Sequence, residues 1–144
     1  MKALLLTCYA GIFLMGCIST AHKDETLNPQ APADLVKIDK NHGSELPIAE
    51  IEVADRIEKL VSFVNSLPQK WSVPWYGPPV GKVYFNFYKD GRAVGNFYVG
   101  SNFFGRDVYY GHDNFNFFSQ PATKEQIDGL GKIVGFDLSA YIHE

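Results

Sequence analysis

Val-Gly-Lys-Val-Tyr-Phe-Asn-Phe-Tyr-Lys-Asp-Gly-Arg-Ala-Val-Gly-Asn-Phe-Tyr-Val-Gly, residues 80–100, alternates aromatic and polar side chains on two arms around Lys89-Asp90-Gly91. Alternation with period two is the mark of a strand with one covered face, and the Asp-Gly step supplies turn chemistry. The stretch therefore reads as a β-hairpin. Taken as a three-residue connection, a type I turn closed by a left-handed glycine, Lys89-Asp90-Gly91 pairs Tyr88 with Arg92. Phe87 then faces Ala93, Phe85 faces Gly95 and Val83 faces Phe97, while Asn86 meets Val94 and Tyr84 meets Asn96 on the other side. A plain two-residue turn would set Phe85 opposite Asn96 and mix apolar with polar, because a one-residue slip turns every side chain over. The expectation is a sheet with a Phe/Val face that must be covered and a Tyr/Asn face that need not be.

Working outward, the chain has 144 residues, 46% of them hydrophobic, enough for one domain and short for two. The formal net charge of -3 is scattered and no run of Lys or Arg occurs, so the footprint of a nucleic-acid binder is missing. No aromatic residue lies between Phe13 and Phe63. The folded domain is therefore expected to start late.

Met1-Lys2 is a short basic start, Ala3 to Met15 is an apolar run too short to span a bilayer as a stable helix, and Gly16-Cys17 follows. These features predict a cleaved export signal over residues 1–16. Leu14-Met15-Gly16-Cys17 resembles the lipobox of bacterial lipoproteins, a likeness confined to the first seventeen residues. The resemblance implies that Cys17 is diacylated and becomes the new N-terminus, with the membrane as a partner through that lipid. Because Ile18 rather than Asp follows Cys17, it also implies the outer membrane, facing the periplasm, in a host with two membranes. Cys8 would leave with the signal, so the mature chain would hold neither a disulfide nor a cysteine nucleophile.

Residues 17–46 carry Pro29, Pro32, His22, His42 and scattered charges but no aromatic side chain, which predicts a flexible tether. The alternative is a short edge strand at Asp34-Leu-Val-Lys-Ile-Asp. The domain is then residues 47–144, and residues 44–144 are expected to fold alone. Ile51, Ala54, Ile57, Leu60, Val61, Val64 and Leu67 recur at helical spacing, with Pro47 suited to a first turn, so a helix is expected over 47–67. Trp71 and Trp75 fall in a proline-stiffened connection and are read as plugging the end of the core.

Beyond the hairpin, Asp107-Val-Tyr-Tyr and Asn114-Phe-Asn-Phe-Phe-Ser predict one or two further strands around a turn at Gly111-His112-Asp113. Thr123 with Gln126 makes a capping box, and Ile127, Leu130 and Val134 give a short helix ending at Gly135. The expected fold is α+β: an antiparallel meander of three to four strands with two helices on one face.

Chemistry is sparse. Gly77-Pro-Pro-Val-Gly-Lys82 falls short of a phosphate loop, and residues 129–135 lack the strand and spacing of a dinucleotide fingerprint. No cofactor or metal site is expected. His112 and Asp113, with Asp107 near, form the one cluster suited to acid–base work, but beside Gly111 they read first as turn residues. The remaining candidate is the Tyr/Asn face, where Tyr84, Asn86, Tyr88, Asn96 and Tyr98 offer phenols and amides as a platform for an envelope protein or glycan. The leading functional expectation is thus a lipid-anchored, non-catalytic binding protein that inhibits or neutralises an envelope partner. An envelope hydrolase or glycan-active enzyme using His112 and Asp113, and a purely structural lipoprotein, are the alternatives.

Overall fold

The computed structural model describes residues 26–41, 46–109 and 115–143. The signal segment, Cys17, and the pair His112 and Asp113 therefore lie outside the described residues.

The architecture is α+β with an antiparallel sheet, as the sequence led us to expect, but among the described residues the sheet has six strands and there are three helices. Its spatial order is β2 (Ala49–Ile51), β1 (Leu35–Lys40), β3 (Val83–Lys89), β4 (Arg92–Val99), β5 (Phe103–Tyr109) and β6 (Phe115–Pro121). Helices α1 (Ala54–Ser66) and α2 (Lys124–Val134) pack on the Phe/Val face, followed by the short α3 (Ser139–Ile142). Phe85, Phe87, Phe97, Phe104 and Phe118 from the strands share one core with Ile57, Leu60, Ile127, Leu130 and Leu138. Phe63 of α1 meets Phe97 and Phe104 edge-on, with ring centroids 6.5 and 5.9 Å apart.

The hairpin corrects the expected register while keeping the faces. Asp90 (φ 50) and Gly91 (φ 73) both lie in the left-handed region, so the turn has two residues, with Lys89 opposite Arg92. The penalty that counted against this turn is removed by a bulge. Tyr88 pairs with Ala93 but Phe87 pairs with Gly95, so Val94 is an extra residue that restores parity. Phe85 therefore meets Phe97, Val83 meets Val99, and Tyr84 meets Tyr98.

The tether expectation fails over Leu35–Lys40. That segment pairs with β3 along its whole length and buries Val36 and Ile38 against Phe87 and Phe85. Two alternating aliphatics suffice because the aromatic face of β3 supplies the surface they need. Asp34 locks the start of β1 to the hairpin turn: its carboxylate accepts the Asp90 N–H at 2.9 Å and faces Lys89 Nζ at 3.4 Å. The Asp90 N–H holds this carboxyl below the usual range.

The first helix starts at Ala54 rather than Pro47, because Ala49–Ile51 are drawn into pairing with β1, Ile51 opposite Val36. The second helix carries the expected capping box, Thr123 with Gln126, and ends on left-handed Gly135. Trp71 is fully buried, as a core plug should be, and the adjacent Ser72 pairs with Ser119 at the edge of β6. Trp75 is not a plug: it is 85% exposed and stacks edge-on with exposed Tyr76.

Candidate binding site

The Tyr/Asn face divides into two halves. At one end, Tyr84 and Tyr98 stack with centroids 5.2 Å apart, and Gly81 of the proline-rich connection lies against both rings, its N–H donating to the Tyr84 hydroxyl at 2.9 Å. Tyr98 is only 2% exposed. Burial, then the nearby Asp107 and Tyr84, push its phenol far above the ordinary 10.0, and burial raises Tyr84 as well. These two tyrosines are buried, which corrects their assignment to an open platform: the connection covers them at Gly81, where the missing side chain lets the backbone lie close to both rings.

The other half is open. Asn86 is half-buried and donates to Asp39 Oδ2 at 2.7 Å, and Tyr88 lies under Lys37 Nζ at 5.9 Å from the ring centroid. Asn96 spans a gap in the sheet. The ladder between β4 and β5 covers only Tyr98 with Gly105 and Val99 with Phe104, after which the strands lose their pairing. Tyr98 lies across Gly105 so closely that a Cβ there would overlap the ring. Beyond it, Asn96 Oδ1 accepts the Asp107 N–H at 2.8 Å and Asn96 Nδ2 donates to Asp107 Oδ2 at 2.6 Å. One amide side chain thus stands in for the missing backbone partner.

The unzipped seam opens into a cavity of about 400 Å³ lined by Asn28, Asn86, Tyr88, Asn96, Arg106 and Asp107, among others. Its back wall comes from the segment before β1. Leu27 and Gln30 are buried, held by Gln69 Oε1 on the Leu27 N–H (3.1 Å) and Asn65 Oδ1 on the Gln30 N–H (2.6 Å). The Gln30 side chain occupies the space where a Cβ at Gly95 would sit.

Arg106 is the unexpected member. It falls on the covered face with Phe104, is 8% exposed, and stacks over Trp71 with its guanidinium 6.0 Å from the ring centroid. Nη1 donates to the Asn28 carbonyl at 3.1 Å, whereas Nε is buried without an acceptor. Among the described residues no carboxylate forms an ion pair with it, and burial lowers its pKa. The sequence did hold a signal: Phe104, Arg106 and Val108 share one face of a period-two pattern, which puts a cation where the core should be.

Of the five platform residues, the structure thus brings Asn86, Tyr88 and Asn96 to the seam and places Tyr84 and Tyr98 beneath the proline-rich connection. Asp107, singled out for acid–base work, is bonded to Asn96 instead. Among the described residues no three His, Cys, Asp or Glu side chains gather as metal ligands. The seam can hold a ligand through amides, a phenol, a carboxylate and one charged guanidinium. Searches with family models, curated proteins and solved structures found no match to this chain.

Proposed function

We propose that this chain is a cell-envelope lipoprotein, diacylated at Cys17, whose domain is not an enzyme but binds another envelope component at the β4–β5 seam and thereby inhibits or neutralises it. The observation that carries the binding reading is Arg106: a guanidinium buried beside a cavity, with no counter-ion among the described residues, is costly, and an occupant of the seam would offset that cost. Asn86 and Tyr88 supply hydrogen-bonding groups and contact area at the mouth. The lipobox carries the anchoring. At full extension the nine residues from Cys17 to Glu25 reach about 30 Å, so the seam would work close to the bilayer.

Capture from envelope extract by the full-length chain tests this reading, alongside Tyr88→Ser and Asn86→Ser. Both substitutions should leave the fold intact and abolish capture, and Cys17→Ser should release the protein from the membrane fraction. Capture that survives both seam substitutions, or membrane association unchanged without Cys17, contradicts it.

A further inference from the structure

Resting on that reading of the seam, we infer that its ligand presents a free carboxylate, and that the site takes the C-terminal end of a short peptide. The guanidinium sets the class. With Nη1 bonded to the Asn28 carbonyl, Nε has no acceptor among the described residues, and the edge formed by Nε and Nη2 has the shape that takes the two oxygens of a carboxylate side-on. The Nε atom is enclosed, so full engagement needs the guanidinium to turn toward the cavity that Arg106 lines, away from its stack on Trp71.

The neighbours narrow the class further. Asp107 and the side-chain carbonyl of Asn86 at the cavity rim are acceptors, which suit amide N–H groups following the carboxylate and disfavour a fully anionic ligand such as phosphate. The β4–β5 ladder stops at Tyr98–Gly105, and apart from the Asp107 N–H, which Asn96 Oδ1 accepts, an extended backbone would find the gap-facing groups of Val94–Phe97 there. The cavity of about 400 Å³ is at the small end for ligand sites, room for a few residues rather than a long chain.

The test is a titration of the full-length chain with N-acetyl-alanyl-alanine, with its C-terminal amide, and with inorganic phosphate, followed by calorimetry and by the Arg106 Nε–H signal in NMR. The free-acid peptide should bind and shift that signal, and the amide should bind at least about tenfold more weakly, the loss expected for a hydrogen-bonded charge pair. Arg106→Lys should weaken the free acid by a similar factor. The comparison of acid with amide stands even where that variant fails to fold, since it needs no substitution. Equal binding of acid and amide, tighter binding of phosphate than of the peptide, or no binding by any of the three would overturn the inference. The titration uses no envelope partner. A silent titration with capture retained therefore refutes the carboxylate alone, whereas capture that ignores the Asn86 and Tyr88 substitutions refutes the site.

Discussion

On its β3 side, strand β4 is paired from Arg92 to Val99, with Phe97 set against Phe85 at 5.9 Å between ring centroids. On its β5 side the pairing stops after Tyr98 and Val99, and the side chain of Asn96 takes over. Both seams belong to one strand and are built from similar alternating sequence, so propensity does not distinguish them. The closed seam has a tight two-residue turn, a bulge that keeps the apolar faces in step, and an apolar stack on the covered side. The open seam has a buried arginine and the Leu27–Gln30 segment on its covered side, where Gly95 makes room for Gln30. Along β4 the pairing holds on the side where apolar side chains stack and stops on the side where the Leu27–Gln30 segment and Arg106 are accommodated.

The strongest way to break this comparison is to remove the segment that supports both seams. A chain starting at residue 44 lacks β1, which lines β3, and lacks the Leu27–Gln30 wall of the open seam. It should lose its cooperative melt altogether, and a sharp transition near that of the intact chain would show that β1 is only an accessory. Next in size is the closed seam: Phe97→Ala should cost about 3–5 kcal/mol in denaturant melts, since it empties a fully buried site shared with Phe85, Phe63 and Phe104. The open seam should be cheaper. Asn96→Ala removes two hydrogen bonds but no core volume, at about 1–3 kcal/mol.

Much of this was legible from residues 80–100, and the physical reasons for the misses differ. The Phe and Tyr faces followed from alternation alone, and they survived a wrong turn because the Val94 bulge adds the one residue that the shorter turn omits. Such a compensation leaves no trace in a period-two pattern. The strand at Leu35–Lys40 was read only as the alternative, and as an edge strand, because prolines and charges around it resemble a linker; its place between β2 and β3 depends on partners far away in sequence. Tyr84 and Tyr98 looked open because nothing local says that the proline-rich connection folds over them. The seam itself is a tertiary feature, yet Arg106 was readable as a charge in phase with Phe104.

The smallest expected effect concerns the covered half of the Tyr/Asn face. Tyr98 and Tyr84 have folded pKa values above the ordinary 10.0, so their contribution is fully present below that value. As pH rises past about 10 the unfolded chain gives up these protons while the folded chain keeps them, and stability falls. Tyr98→Phe should flatten that alkaline decline in thermal melts recorded from pH 8 to about 11. An unchanged slope would mean that the Tyr98 phenol ionises freely and is not enclosed.

Amide hydrogen exchange along β4 tests the difference between the two seams most directly. The amides of Val94–Phe97 that point toward β3 should exchange slowly, near the limit of global unfolding. Those that point toward β5 should exchange through local opening and slow down when N-acetyl-alanyl-alanine is added. Equal, high protection on both sides of β4 in the free protein would mean that the β4–β5 seam is closed, and would contradict the account.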